Sequence, residues 1–268
     1  MSGHDYVHGY SSRENTRLFD QANTLAELLH RDTFYPAGSK VLEAGCGVGA
    51  QTAILARNSP RARFTSIDIS PDSLNAARAL IEKKRITNVT FQMADIFDLP
   101  YEEEYFDHVF VCFVLEHLKK PVEALRRLRV VLKKGGSITV IEGDHGSTFF
   151  HPDSQAAMRT IQCLVQIQSR TGGNALIGRQ LFPILRNAGF DRPVISPRMV
   201  YTDSSRPELV DGFTKKTFIA MVEGVGEQAL EMNLLSSGEW KNGISDLRAA
   251  AKSDGVFCYT FFKGRAVR

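Results

Sequence analysis

Lys40 to Gln51 reads K-V-L-E-A-G-C-G-V-G-A-Q, and this stretch decides the fold. Lys40 to Glu43 has the character of a short buried strand, Gly45, Cys46, Gly47, Val48 and Gly49 make a turn, and Ala50 to Arg57 carries helical apolar spacing. A strand that ends in glycines and passes directly into a helix sets bare backbone N–H groups beside a ligand. Glycine suits those positions because a Cβ would block either the tight turn or the ligand's approach. The stretch therefore predicts a bound nucleotide-like cofactor.

Two templates fit it. As G-x-G-x-x-A (Gly45, Gly47, Ala50) it matches a dinucleotide fingerprint, and as E-x-G-x-G-x-G (Glu43, Gly45, Gly47, Gly49) it matches a pattern with an acid before the first glycine. Glu43 has no role in the first template. A dinucleotide also brings a pyrophosphate to the helix N-terminus. The rest of the chain has to choose between them.

Outward from the turn, strand and helix patterns alternate. Ser11 and Glu14 have capping-box spacing, and Leu18, Ala22, Leu25, Leu28 and Leu29 repeat at helical intervals to about Arg31. Arg61 to Asp68 reads as a second strand, followed by the helix start Ser70-Pro71-Asp72. Val89, Phe91 and Met93 alternate as a third strand ending at Ala94-Asp95-Ile96. Phe106 to Val114 is a near-continuous run of β-formers, as expected of a central strand buried on both faces. Pro121 opens a helix that Gly135-Gly136 is expected to close, and Ser137 to Ile141 is a fifth strand. Gly178 to Ala188 reads as a helix stopped by Gly189, Pro193 to Tyr201 as a sixth strand and Gly255 to Gly264 as the last.

This alternation predicts an α/β, doubly wound, seven-stranded and mostly parallel sheet whose last strand is antiparallel. The expected domains are an N-terminal cap helix (1–37), a core (38–203 plus 254–268, with an insertion at 146–176) and a helical cap insertion (204–253). The three non-core segments are expected to form a lid over an enclosed pocket. Phe149, Phe150, Phe213, Phe218, Met221 and Trp240 are candidates to line it, although apolar residues at helical spacing more often serve packing.

With 268 residues, 43% apolar and 24% charged, the chain has the composition of a globular protein, and its net charge of +3 lacks the concentrated basic footprint of a nucleic-acid binder. Arg126, Arg127, Arg129, Lys133 and Lys134 read as a solvated helix face and C-terminal end. Cys46, Cys112, Cys163 and Cys258 form neither a disulfide framework nor a zinc pattern, which favours a reducing compartment. No apolar run approaches the about 18 residues of a membrane span. The N-terminus lacks a signal-peptide pattern, so a cytoplasmic location is expected.

Four features in this order resemble the class I S-adenosylmethionine-dependent methyltransferases, close to the small-molecule branch of ubiquinone and menaquinone biosynthesis. They are E-A-G-C-G-V-G, Asp68 closing the second strand, Ala94-Asp95-Ile96 after the third, and F-D-H-V-F-V-C-F-V-L-E-H-L from Phe106 to Leu118. L-R-N-A-G-F, from Leu185 to Phe190, also looks like that family's approach to strand six. The resemblance implies S-adenosyl-L-methionine as cofactor, S-adenosyl-L-homocysteine as product, and a small-molecule acceptor methylated by in-line displacement. A monomer or homodimer without nucleic-acid or membrane partners goes with it. The alternatives are an NAD(P)-dependent oxidoreductase, for which no Tyr-x-x-x-Lys pair follows, and a non-enzymatic S-adenosylmethionine binder. A protein- or RNA-modifying methyltransferase is a further alternative, but C-F-V-L stands where an N-P-P-Y-type tetrad would, which argues against modification of the amino or amide nitrogens of bases and glutamines.

The residues take roles accordingly. Asp68 would accept from both ribose hydroxyls and Asp95 from the adenine amino group, with Ala94 and Ile96 beside it. Glu43, Gly45, Cys46, Gly47 and Gln51 would surround the methionine part and sugar, Ile69 and Leu74 would flank the adenine, and Cys112 and Phe113 would wall the cofactor. Tyr10, Arg17 and Gln21 would reach the cofactor from the first helix. Glu116 and His117 are the candidate catalytic pair, needed where the acceptor must lose a proton. Glu142, Asp144, His145, His151 and Asp153 have ligand chemistry but no fixed geometry, so no metal is expected. The His4, Asp5, Tyr6, His8 and Tyr10 cluster is equally indefinite.

Overall fold

Strands buried on both faces need near-continuous apolar and β-branched residues, and Val41-Leu42, Phe64 to Ile67 and Val109 to Cys112 supply them at the centre of the sheet. In the computed structural model, which describes residues 12–268, the strands are β1 (Lys40–Ala44), β2 (Arg63–Asp68), β3 (Val89–Met93), β4 (Phe106–Cys112), β5 (Leu132–His151), β6 (Asp191–Thr202) and β7 (Val256–Val267). The early helices are α1 (Ser12–His30), α2 (Ala50–Asn58), α3 (Pro71–Lys83) and α4 (Pro121–Val131), followed by α5 (Gln155–Arg170) and α6 (Leu181–Asn187).

One seven-stranded sheet has the order β3-β2-β1-β4-β5-β7-β6. β1 lies parallel to β2 and β4, β2 to β3, and β4 to β5. Arg268 accepts from Gly135 and donates to Gly136, pairing the end of β7 with the start of β5, so β7 runs antiparallel. The chain builds outward from β1 in one direction and then resumes with β4 on its other side. The turns after β1 and β4 therefore face the switch point of the sheet, where open α/β folds bind ligands.

The chain divides into two compact units. The sheet unit comprises Ala26–Glu142, Ile177–Arg198 and Phe262–Arg268, and so holds part of every strand. Its core packs Leu42, Ala44, Ile67, Val109 and Val111 with Leu125 and Leu128 of α4 and Leu181 and Leu185 of α6. The second unit comprises the residues up to Leu25, Gly143–Leu176 and Met199–Phe261. It contains α7 (Pro207–Leu209), a ten-residue π-helical segment (Val210–Ile219), α8 (Ala220–Gly224), α9 (Gly226–Glu231) and α10 (Ser237–Ala249). Phe213, Phe218, Phe257, Tyr259 and Phe261 form an aromatic cluster there, with Tyr259 and Phe261 4.7 Å apart and Phe218 and Phe257 4.8 Å apart between ring centroids. Phe213 and Phe218 are therefore core residues of that unit.

Two local expectations change. Gly135 and Gly136 do not close α4, which already ends at Val131, but lie inside β5. A Cβ at Gly136 would stand 2.8 Å from the Asp107 carbonyl oxygen, so this glycine permits close passage beside β4. β5 is 20 residues long, and residues 146–151, expected to belong to an insertion, continue it. The helix start expected at Ser70 is present, with Ser70 Oγ accepting from the Ser73 N–H. Ser154 Oγ caps α5 in the same way through the Ala157 N–H, and Ser11 of the expected capping box lies outside the described residues.

Candidate cofactor and acid–base site

At the end of β1 the glycine turn is pinned from β2. The N–H groups of Gly45 and Cys46 both donate to the Ile67 carbonyl oxygen, at 2.8 and 2.9 Å. Gly45, Gly47 and Gly49 take φ of 76°, 51° and 78°, the left-handed region in which a side chain is strained. Gly45 needs the absence of a Cβ a second time, since one there would lie 2.4 Å from Val114 Cγ2. At Gly47 the position of a Cβ has nothing within 4 Å among the described residues.

Asp68 ties this turn to its neighbour. Its Oδ2 accepts from the Gly47 N–H at 2.8 Å and its Oδ1 from the Ser70 N–H at 2.9 Å. A carboxylate offers about four acceptor sites, so two hydrogen bonds to backbone leave capacity for two hydroxyls. The Asp68 carbonyl oxygen also accepts from the Ala94 N–H at 3.2 Å, which joins the ends of β2 and β3. There Asp95 Oδ1 accepts from the Phe97 N–H at 2.9 Å, and the Asp95 carbonyl oxygen from the Asp98 N–H at 3.0 Å. Hydrogen bonds thus link the glycine turn, Asp68 and Ala94 across three strand ends, and Asp95 follows Ala94 in the chain.

The other candidates divide. Ile69, next to Asp68, is exposed, whereas Leu74 and Ile96 are buried core residues. Gln51 Oε1 lies 2.6 Å from His30 Nε2, so this side chain is engaged with α1. Burial lowers His30 to about 4, which keeps its ring neutral beside Gln51. Cys46 and Cys112 are buried and burial pushes both thiols up, which disfavours the nucleophilic thiolate. Arg17 and Gln21 belong to the second unit, both buried, with Arg17 Nη1 donating to Gln21 Oε1 at 3.0 Å. Tyr10 and the histidine–tyrosine cluster around it lie outside the described residues.

After β4 the chain reverses at Phe113, whose φ of 57° is left-handed for a non-glycine residue. Such a conformation costs about 1–3 kcal/mol and persists where surrounding contacts impose it. Leu115–His117 then form one 3₁₀ turn that carries the candidate pair. Glu116 is buried, and its Oε1 lies 3.6 Å from His117 Nε2. Glu142, at the sheet unit's end of β5, was weighed from sequence only as a metal ligand. It is fully buried, and its Oε1 accepts from the Val114 and Leu115 N–H groups at 3.1 and 2.8 Å. No signal within the sequence links positions 28 and 27 residues apart in this way. Among the described residues no group of three or more His, Cys, Asp or Glu is placed to hold a metal ion. His145, in the second unit, has Nδ1 2.7 Å from Tyr259 Oη.

A family model described as a methyltransferase domain matches residues 36–189, more than half of the chain. The chain belongs to the methyltransferase domain family. Among curated relatives, it is 31% identical over 190 residues to an uncharacterised 37.1 kDa protein in a transposon of Streptomyces fradiae, covering 70% of this chain and 54% of that one. It is 35% identical over 125 residues to a demethylmenaquinone methyltransferase of Tropheryma whipplei, covering 47% and 50%. The chain thus spans about half the length of the curated relatives it matches. Among solved structures, geranyl diphosphate C-methyltransferase of Streptomyces coelicolor A3(2) superimposes with a TM-score of 0.53 at 16% identity, over 92% of this chain and 78% of that one. A phosphoethanolamine N-methyltransferase of Haemonchus contortus gives 0.56 at 18%, over 93% and 52%. These two likenesses establish the fold, and the nicotinamide alternative gains no support from any of the matches.

In this methyltransferase domain Glu43 stands beneath the glycine turn. It is buried, and its Oε2 accepts from Thr52 Oγ1 at 2.7 Å and Ser66 Oγ at 2.6 Å. Burial raises its carboxyl from 4.5 to about 7, against the opposing pull of the two hydroxyls. A raised folded value means the folded state holds the proton more tightly than the unfolded state does. Its stabilising contribution is complete below pH 4.5 and is lost as pH rises through about 7. Relative to Glu43→Gln, the wild type is expected to lose about 3 kcal/mol of stability across that window. Urea melts of both proteins at several pH values check this, and parallel pH profiles would refute it.

Proposed function

We propose that this chain transfers a methyl group from S-adenosylmethionine to a small-molecule acceptor. The observation that carries the reading is the hydrogen-bonded series from Gly47 through Asp68 to Ala94, with Asp95 the next residue in the chain. It supplies open backbone at the turn, a carboxylate with acceptor capacity for a ribose, and a second acid one strand away. When bound, S-adenosylmethionine supplies a sulfonium-activated methyl, whose S–C bond breaks as the acceptor–C bond forms and leaves its electron pair on sulfur.

The chain's own part is to bind, to align and to move a proton. Asp68 and Asp95 hold sugar and base, while Gly45 and Gly47 let the backbone approach closely. Cys46 and Cys112 contribute uncharged wall at the turn and at the end of β4. Glu116 and His117 take the proton that a hydroxyl or ammonium acceptor must release as it becomes methylated. The solved relatives named above include proteins crystallised with S-adenosylmethionine or S-adenosylhomocysteine, in keeping with this assignment. No helix of the described residues is long and apolar enough to cross a membrane, and the four cysteines are buried and unpaired, which suits a reducing, cytoplasmic setting.

Isothermal titration is expected to show one S-adenosylhomocysteine site per chain and no NADH binding. Methyl-tritiated S-adenosylmethionine is expected to label at least one acceptor among a phenol, a catechol, a hydroquinone and a primary amine. Absence of S-adenosylhomocysteine binding would end the proposal. Binding without transfer to any wider acceptor panel would favour a non-enzymatic binder.

A further inference from the structure

Three successive amides after β4 are held by two successive residues of β5. The Phe113 N–H donates to the Ile141 carbonyl oxygen at 2.9 Å, and those of Val114 and Leu115 donate to Glu142 Oε1. Phe113 is the residue forced into the left-handed region, and the next two amides are the ones clamped by the side chain. Val114, the first of them, also packs on Gly45, so the turn after β4 abuts the glycine turn. Glu116 and His117 follow within the same 3₁₀ turn.

We propose that Glu142 is a positioning residue for methyl transfer: its buried carboxyl clamps the Val114 and Leu115 amides, holds Phe113 in its left-handed conformation and so fixes the turn that presents Glu116 and His117. The inference rests on the reading of the site as a methyltransferase centre. Satisfying two amides in a loop does not require a full carboxyl, and burying one is costly. Burial and then the neighbouring Glu116 push the Glu142 carboxyl well above the ordinary carboxylate range. As an acid it still offers a carbonyl oxygen, Oε1, to accept the two amides. Either form of the carboxyl can accept the two amides at Oε1. A glutamine keeps a carbonyl oxygen at the position that accepts both amides, which gives the inference a sharp test.

Glu142→Ala and Glu142→Gln separate the clamp from general stability. In E142A, amide exchange at Val114 and Leu115 is expected to rise at least about tenfold. Its kcat is expected to fall about 100-fold with KM for S-adenosylmethionine within about threefold. E142Q is expected to retain both amide protection and turnover within about threefold of wild type. If E142A does not fold, the Phe113→Gly/E142A double variant is expected to restore a cooperative melt, because glycine adopts the left-handed turn unaided. Wild-type protection and turnover in E142A, losses in E142Q as large as in E142A, or a double variant that also fails to fold would overturn the inference. A wild type that binds no S-adenosylhomocysteine would instead remove the functional reading, while amide exchange would still decide the clamp.

Discussion

Asp68→Ala is expected to weaken S-adenosylhomocysteine binding about 100-fold. In the proposed role two ribose hydroxyls would lose a charged acceptor, each such hydrogen bond contributing about 1.5–3 kcal/mol, and about 3 kcal/mol in total corresponds to two decades in affinity. The loss also has an indirect part. Asp68 Oδ2 holds the Gly47 N–H and Oδ1 the Ser70 N–H, so the alanine variant frees the glycine turn and the start of α3 together. Calorimetric titration of wild type and variant, with a thermal melt to confirm folding, measures the effect. Affinity within threefold of wild type would mean that Asp68 only ties the two turns to each other.

Asp32→Ala carries the largest expected cost to stability. Lys263 is only 1% exposed, and its ammonium donates to Asp32 Oδ1 at 2.7 Å, to the Leu29 carbonyl oxygen at 3.1 Å and to Thr33 Oγ1. Arg198 Nη2 pairs with the other oxygen, Oδ2, at 2.5 Å. Burial pushes the Asp32 carboxyl up, but hydrogen bonds from Lys263 and Arg198 outweigh it and hold the group at about 2. Burial lowers Lys263, so removing its counter-ion leaves an uncompensated charge in the sheet unit. Breaking a fully buried pair from one side costs about 3–5 kcal/mol. Because the Asp32 side chain is 35% exposed and solvent screens it, no more than about 3 kcal/mol is expected here. At about 2–4 °C per kcal/mol this lowers Tm by at most roughly 10 °C. Adding Lys263→Met should recover part of that loss. A Tm within 2 °C of wild type, a span set by the sensitivity of about 2–4 °C per kcal/mol, would show that water or another group already serves Lys263.

The two predictions differ in how far a reader of the sequence could have reached them. Asp68 was legible because its neighbours are local: a strand pattern ends on it, and Ser70-Pro71 two residues later marks a helix start. Asp32, Lys263 and Arg198 were not, since they stand 231 and 166 positions apart and meet only when the last strand joins the sheet. Leu74 shows a subtler limit. Helical spacing placed it correctly on α3, where it is buried, but one apolar residue at one interval looks the same whether it faces a ligand or the core. Gln51 likewise sits where expected, yet its partner is His30 from α1. The glycine pair at 135 and 136 misled because glycine marks both helix ends and close backbone passage, and here the second use applies.

By itself the sequence determined the alternating strands and helices, the glycine turn with its acid, and the residues standing at the strand ends. Those are consequences of periodicity, backbone conformational freedom and side-chain caps, all of which act over a few neighbouring positions. Only the tertiary structure decided which strand ends meet, that the Glu142 carboxyl clamps the turn after β4, and that Asp32 serves two cations. Hydrogen bonds and ion pairs between distant segments depend on strand order and register, and nothing in the local pattern encodes either.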